Sequence, residues 1–530
     1  MSNIYKQSLN RKQQQFFPPS LDEYVSQDNQ VRAIEDYVEL LDMIDLGFTK
    51  ASLVSRDGQP AYHPKLLLKI YIYGYLNKIR SSRKLENEIK RNIEMMWLCA
   101  GLTPSYKTIA DFRKENSKPL KKVFREFVLL CKELELITGE IVAIDGAFLR
   151  ANASKNQLIM KKSVDRDLKK IDEKIEAYLK NMNFADSEEK KEKRLTPPTD
   201  NLSSMKRRKV KLDKDLELLE KMGVTQYNRT DPDAKVMVKP AHNLMAYNVQ
   251  IAVDDRYKFI VATDVSSIGQ DTDKLYPMAR QTKEILKQDT LDITADKGYY
   301  NTSHIKACLN DGITPYLSTP KYKQSKTDFF TADKFIYDTN KDYYLCPNNQ
   351  MLKRASYTQN KRGKIKKVYQ STSAMCKACP LRKECMPPKT AHKRIYRWEH
   401  QELLDKYKVA MKTDYAKALI KKRGAIVEHP FGTIKRTLGW DHFLVRSKDK
   451  VSGENALIMF TYNFRRLLNL IGIALFRKLV IAIKNNKLDE IKEEISDYIT
   501  HFMIYLTYVL EYIRYYLKKP KSLGLLASMI

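Results

Sequence analysis

The chain has 530 residues, 43% of them hydrophobic, which exceeds one ordinary domain and is enough to bury a sizeable core; roughly two to four domains are expected. Its 95 Lys and Arg against 64 Asp and Glu leave a formal charge of +31, which favours a polyanionic partner, nucleic acid before an anionic membrane surface, because the basic residues are spread along the whole chain. The opening MSNIYKQSLNRKQQQ has no apolar signal core, and seven cysteines, an odd number, argue against a disulfide framework, so a cytosolic protein beginning near Met1 is expected, its thiols reduced or on a metal.

The first segment, residues 1–135, reads as helical. In HPKLLLKIYIYGYLNKIRSSRKLENEIKRN the apolar residues recur at helical spacing on one side and the basic residues lie opposite. SYKTIADFRKEN follows, where Ser105 or Thr108 is placed to cap a new helix. Short helices with basic faces suit a DNA-reading bundle of helix-turn-helix type, and a plain helical bundle fits the periodicity equally well.

From Glu140 the pattern changes to short β-branched runs, EIVAID, YNVQIAVD (Tyr247–Asp254) and KFIVATDV (Lys258–Val265), with Asp254, Asp255 and Arg256 at a hairpin turn. A helix at about 271–287 separates them from LDITAD. Strands in succession, then helix and strand, indicate an α/β sheet of mixed strand directions. Two insertions interrupt it. In the first, residues 155–223, Leu168, Ile171, Ile175 and Leu179 make one helical stripe and Met205, Leu212, Leu216 and Leu219 another. The charged, proline-containing FADSEEKKEKRLTPPTDN between them predicts an antiparallel helical hairpin.

The second insertion, residues 318–400, holds Cys346, Cys376, Cys379 and Cys385 in the pattern CP-x28-CxxCP-x4-C. Four thiolates from neighbouring knuckles can complete a tetrahedral structural zinc site, and plain reduced cysteines of a small subdomain are the competing reading. Cys99, Cys131 and Cys308 lie in apolar helical surroundings and read as core residues. From about residue 455 the chain is helical again, with broad apolar faces that either close the core or meet a partner subunit. Tyr498–Leu510 lacks charged residues but is broken by Thr500, His501 and Thr507, and falls short of the ~20 apolar residues a spanning helix needs.

Three acids stand in distinctive surroundings: Asp145 in IVAIDGAFLRANAS, Asp296 in ITADKGYYN and Glu428 in AIVEHPFGTIKR. Asp145 and Asp296 each end a strand-like run, a position that points a carboxylate out of a sheet edge; Asp-Gly and Asp-Lys-Gly are also ordinary turn sequences. Glu428 sits in a helix that Pro430 requires to start or kink near Val427, and Lys435, seven residues on, returns to its face with Arg436 beside it. A surface ion pair at helical spacing is the plainer account of Glu428 and Lys435. Carboxylates gathered from distant segments are what a protein needs to hold a pair of hard divalent cations for phosphoryl transfer. His242 and Asn243, in KPAHNLMAYNVQ, are expected near such a site or in a structural role before a strand.

IDGAFLRANAS, DKGYYN and VEHPFGTIKR resemble the three acidic motifs of bacterial insertion-sequence transposases of the DDE class, whose catalytic domain has a ribonuclease-H-like fold. HPKLLLKIYIYGYL, SSRKLE and TIADFR are similar to the helical domain that precedes the catalytic core in one branch of that family, so the resemblance runs, in order, over about residues 60 to 470. It implies a helical N-terminal DNA-binding domain (1–135), a ribonuclease-H-like mixed-sheet catalytic domain (136–470) carrying both insertions, and a helical C-terminal tail (471–530) that matches no motif. It assigns Asp145, Asp296 and Glu428 to the catalytic, metal-binding triad and Lys435 to DNA phosphate, with Arg436 beside it and Arg423 as further candidate DNA contacts. Some relatives place an arginine four residues before the glutamate; here that position is Gly424, with Arg423 one residue earlier as the candidate. The implied chemistry is attack on a DNA phosphodiester with two Mg²⁺ or Mn²⁺ ions ~4 Å apart, first by water and then by a 3′-hydroxyl, cutting element ends and joining them to target DNA. Terminal inverted repeats and target DNA are then the partners, with a homodimer as the minimal synaptic assembly. The competing functions are a transposase-derived, non-catalytic DNA-binding protein and a nuclease of the same fold without joining activity.

Overall fold

The structure, a computed structural model, describes residues 20–52, 60–188, 202–238, 243–319, 329–361 and 364–517. His242 and most of the Pro-rich loop between the two insertion helices lie outside the described residues. The chain divides into two compact units, the first formed by residues 1–138, 146–269 and 427–530, the second by 139–145 and 270–426.

The first unit opens with six helices, α1 (Gln30–Leu40), α2 (Pro64–Leu76), α3 (Ser82–Arg91), α4 (Ile93–Leu98), α5 (Tyr106–Glu115) and α6 (Ser117–Glu133). Asn29 caps α1 by accepting from Val31 N–H, and Ser105 caps α5 by accepting from Thr108 N–H. α2 departs from the amphipathic helix expected of its sequence. It is buried on nearly every side, and its Lys69 is neutralised by Glu35 and Glu39 of α1, each 2.7 Å away. PKLLLKIYIYGYL is apolar all round, and such a helix belongs in the middle of a bundle; the basic outer face is left to α3, which turns Leu85 and Ile89 inward.

β1 (Ile141–Arg150) is shared by the two units, its first half in the second and its second half in the first. The first unit then continues with β2 (Leu158–Met160), α7 (Lys161–Glu188), α8 (Leu202–Lys221) and β3 (Gln226–Asn228). β2 and β3 pair antiparallel at the base of two antiparallel helices, tied by Lys161–Glu220 at 2.9 Å and Lys209–Asp172 at 2.6 Å. Ile159, Val164 and Leu219 form a small core there. β4 (Lys235–Val238), β5 (Asn243–Asp254) and β6 (Ile260–Ser266) come next, with β5 antiparallel to both others and almost entirely buried. The turn from β5 to β6 is where the sequence places it, with Lys258 at φ 59°, so β6 begins two residues later than its β-branched run.

The second unit contains α9 (Leu275–Leu286), β7 (Leu291–Ala295), α10 (Thr302–Asn310) and β8 (Ile313–Leu317). β7 is parallel to β1, in register from Ile141↔Asp292 to Ile144↔Ala295, and β8 is parallel to β7. The hydrogen-bonded order in the sheet is β4-β5-β1-β7-β8, with β6 also on β5. β9 (Ile336–Asp338), β10 (Tyr343–Leu345), β11 (Met351–Lys361), β12 (Lys364–Gln370) and β13 (Arg394–Trp398) form a separate antiparallel sheet in the order β13-β12-β11-β10-β9. Between β12 and β13 lie the short helices α11 (Ser373–Lys377) and α12 (Arg382–Cys385). α13 (Gln401–Ala410) leads to α14 (Asp414–Gly432), which passes from the second unit into the first at residues 426 and 427.

The first unit is completed by α15 (Lys448–Lys484) and α16 (Leu488–Leu517). Gly453 lets α15 approach α6, since a Cβ there would come within 2.6 Å of Ser117 Cα. Gly472, at φ 72° and ψ 165°, breaks α15 into two rods. Cys99, Cys131 and Cys308 are buried, as their apolar surroundings indicate. No helix among the described residues is long and apolar enough to cross a membrane.

Candidate active site

In the second unit, two of the three acids come together through sheet register. The parallel pairing of β1 with β7 ends at Ile144↔Ala295, so Asp145 and Asp296 are the next residue on each of two neighbouring strands. Apolar residues on both sides of these strands bury Val142, Ala143, Ile144, Ile293 and Ala295, and the first polar position after each run is a carboxylate. Asp145 does not end its strand as the sequence suggested. β1 continues to Arg150 because Gly146–Arg150 belongs to the first unit's part of the strand, where Ala151 N–H still donates to Met245 C=O of β5. Asp296 does lie just past its strand; it is exposed, and its Oδ1 accepts from Lys297 N–H at 2.7 Å as the cap of a single 3₁₀ turn.

Arg423 of α14 reaches Asp145, Nη1 to Oδ2, at 3.4 Å, with the two side chains 23% and 28% exposed. A half-buried guanidinium beside a half-buried carboxylate offsets charge at the strand end and leaves other N–H groups of its fork to donate elsewhere. Gly424, the next residue, has no side chain to do this.

Glu428, Lys435 and Arg436 belong to the first unit, and they do not sit in the helix the sequence predicts. α14 starts at Asp414, well before Glu428, and holds Pro430 in its interior. Proline removes one N–H from the ladder without stopping a helix whose neighbours bury it. The disturbance appears one turn later: residues Thr433–Thr437 form a π turn in which Leu438 N–H reaches back to Thr433 C=O at 2.9 Å. The seven residues from Glu428 to Lys435 thus run from the α-helix into this wider turn. Glu428 is exposed; Lys435 is half-buried, its ammonium 5.2 Å from the Phe431 ring; Arg436 is exposed.

The sequence reading passed over His429. Its Nδ1 lies 2.9 Å from Tyr462 Oη, whose hydroxyl also donates to Lys258 C=O, and its Nε2 is 3.5 Å from Arg466 Nη1. The ring is exposed on one side, and partial desolvation on the other, with the Arg466 and Lys258 charges, lowers the imidazole pKa. Nothing in a lone His-Pro pair marks this, since both partners come from residues distant in sequence. Asn243 begins β5, exposed, in the first unit.

The four cysteines expected on zinc gather around one cavity in the second unit, with Phe335, Leu352, Ser371 and Lys393. None is disulfide-bonded; Cys376 and Cys385 are buried, Cys346 and Cys379 half-buried. Gln350 N–H donates to Cys346 Sγ at 3.3 Å, and Ser371 Oγ is 3.0 Å from Cys376 Sγ. Burial, ahead of the neighbouring thiols, raises the Cys385 pKa, and Lys393 nearby is held below the ordinary lysine value by its own burial. Among the described residues no three or more His, Cys, Asp or Glu side chains are arranged so that they could hold a metal ion, and this applies to the carboxylates as well as to the thiols.

A transposase domain family, DUF772, matches residues 19–115, and a transposase DDE domain family matches residues 345–468. Among curated proteins, none matches the chain. A solved structure, the piggyBac transposase synaptic complex with hairpin DNA, is similar over 95% of this chain and 82% of that chain at 10% identity and a TM-score of 0.26, a score at which it carries no argument about the fold. A transposase domain thus lies across the first helices and a transposase DDE domain across the segment that holds Arg423, Glu428 and Lys435, and these two matches support a DDE-class transposase.

Proposed function

We propose that this chain is a transposase that binds the ends of an insertion sequence and catalyses metal-dependent DNA strand cleavage and strand transfer from a ribonuclease-H-like core. The register of β1 with β7 carries the reading, because it sets Asp145 and Asp296 next to each other at adjoining strands. The strand order supports it: an antiparallel β6 and β5 lead to a central β1 followed by parallel β7 and β8, the order of a ribonuclease-H-like sheet.

Adjacent carboxylates supply the oxygen donors that Mg²⁺ or Mn²⁺ takes, and Glu428 is proposed as the third acid of a site for two ions. When bound, such ions activate the attacking oxygen and stabilise the leaving one. Arg423 holds Asp145 in place from α14 and offers its remaining N–H groups to a phosphate oxygen. Lys435 and Arg436 bind the DNA backbone and fix its register on the protein, which supplies affinity without base specificity. Double-stranded DNA, as terminal inverted repeats and target, is the proposed partner, and two copies of the chain hold two ends.

The test is cleavage and joining of a labelled element end. Asp145→Asn, Asp296→Asn and Glu428→Gln are each expected to lower Mg²⁺-dependent cleavage at least ~10³-fold while leaving DNA binding within a few-fold. Normal cleavage by one variant removes that residue from the site. Binding without cleavage by the parent chain makes it a non-catalytic DNA-binding protein, and cleavage without joining makes it a nuclease.

For Cys346, Cys376, Cys379 and Cys385 we propose structural zinc, supported by their shared cavity and by the N–H donated to Cys346 Sγ. The side chains would close about the ion when it binds.

A further inference from the structure

We infer that Arg80 is a positioning residue that fastens the turn after Lys435 and Arg436 to the N-terminal helices and so holds these two cations in place, a role that rests on their proposed contact with DNA phosphate. The chain bends sharply between α2 and α3. Lys78 lies at φ 61°, and Ile79 N–H donates to Gly74 C=O at 2.7 Å before α3 starts at Ser82. Gly74 permits this bend, since a Cβ there would come within 2.7 Å of Ile79 O. Arg80 stands at the bend with its side chain only 13% exposed, and its partners lie more than 350 residues further along the chain.

Nη1 donates to Gly439 C=O at 3.1 Å and Nη2 to His442 C=O, while the Asp441 carboxylate is 3.7 Å away. The guanidinium lies 4.2 Å from the centre of the Trp440 ring, which is completely buried and stacks on Tyr75 of α2 at 3.9 Å. A planar fork that spans two carbonyls three residues apart fixes the turn between them, and stacking on the indole fixes the plane of the fork. β1 holds the same turn: Arg150 Nη2 donates to Asp441 Oδ2 at 3.0 Å, and Arg150 C=O accepts from Phe443 N–H at 2.8 Å.

The turn in turn holds the π segment before it. Leu438 N–H donates to Thr433 C=O and Trp440 N–H to Ile434 C=O, each at 2.9 Å, so the backbone of Lys435 and Arg436 is enclosed by bonds that close at or beside the turn. Ile434, Leu438 and Trp440 are fully buried, whereas Lys435 is half-buried and Arg436 exposed. Gly439, at φ 72°, is the point where the turn would open once Arg80 no longer bridges it.

Hydrogen exchange and DNA binding of the full chain test this. Arg80→Ala is expected to speed exchange of the Leu438, Trp440 and Phe443 amides at least ~10-fold and to leave those of α1 and α6 at parental rates, whereas a general loss of stability would speed both. Binding to a labelled duplex of random sequence is then followed against salt, because phosphate contacts carry no sequence information. Each phosphate contact contributes ~0.9 to the slope of log K against log salt, so Lys435→Ala with Arg436→Ala should reduce it by about 2. Arg80→Ala should reproduce most of that reduction, and the triple variant should lose little more. Arg80→Lys keeps the charge but not the planar fork, so it should resemble Arg80→Ala, and it carries the same comparison if Arg80→Ala does not fold. Parental exchange at the three amides, a parental slope for Arg80→Ala beside a reduced one for the Lys435 and Arg436 double variant, or full rescue by Arg80→Lys overturns the assignment. An unchanged slope for the double variant instead removes Lys435 and Arg436 from the DNA contacts, and this role of Arg80 falls with them.

Discussion

Glu454, in the first turns of α15, is completely buried and receives four donors: Tyr75 Oη and Arg113 Nη1 at 3.2 Å on Oε1, and the N–H groups of Leu444 and Val445 at 2.8 and 3.1 Å on Oε2. It joins α2 and α5 to α15 and to the loop before α15. Burial works against the Arg113 cation, but Tyr75 and Glu454 hold its pKa above the ordinary arginine value. Glu454→Ala strands that cation, whose side chain is 7% exposed, at about 3–5 kcal/mol. Two orphaned backbone N–H groups add about 1–3 kcal/mol each, less what entering water returns. A total of about 4–8 kcal/mol is expected, which at roughly 2–4 °C per kcal/mol lowers the melting temperature by about 8–32 °C. Glu454→Gln keeps an acceptor for the two N–H groups and should cost about 3 kcal/mol. Urea unfolding of both variants, of Arg113→Met and of Glu454→Ala with Arg113→Met gives the coupling, which should exceed about 2 kcal/mol because the second change removes the charge the first leaves unpaired. A loss below about 1 kcal/mol for Glu454→Ala, or strict additivity in the cycle, would refute the argument.

Arg423→Ala is expected to lower cleavage about 10²-fold with melting nearly unchanged, and Arg423→Lys to restore only part of it, because an ammonium cannot match the guanidinium fork; equal activity of Arg423→Ala and the parent sinks the positioning role. His429 has a folded pKa below its ordinary 6.5, so as the pH falls the unfolded chain takes up this proton first. Its contribution is therefore constant above about pH 7 and turns unfavourable as the pH drops through 6.5, until the folded ring also protonates. Melting of His429→Gln should accordingly fall less than that of the parent between about pH 7 and 5, and parallel curves would show that the ring titrates as it does in the unfolded chain. Elemental analysis of purified, folded protein should find one zinc per chain, lost with Cys376→Ser and Cys379→Ser; a folded preparation without zinc leaves the four cysteines as reduced core residues.

Much of the element pattern comes from local chemistry that a sequence displays. The β-branched runs around Asp145, Val253 and Asp296 become β1, β5 and β7, and the two leucine-rich stripes become α7 and α8, because periodicity reports which side of an element is buried. Periodicity alone misplaced α2, whose basic residues suggested an exposed face, whereas Glu35 and Glu39 neutralise Lys69 inside the bundle. It also misjudged Pro430, since a proline's cost is set by the helix around it, and α14 is long enough to carry one and relax through a π turn.

By itself the sequence determined that this is a basic, mixed α/β chain with helical ends, and its motifs pointed to Asp145, Asp296 and Glu428. Only the tertiary structure decided who neighbours whom. The register of β1 with β7 put Asp145 beside Asp296, α14 brought Arg423 to Asp145, and distant segments closed on Glu454 and His429. The reason is physical: a residue's propensity and its side of an element are local quantities, whereas a contact between residues hundreds apart depends on strand pairing and helix packing, which no short window of sequence contains.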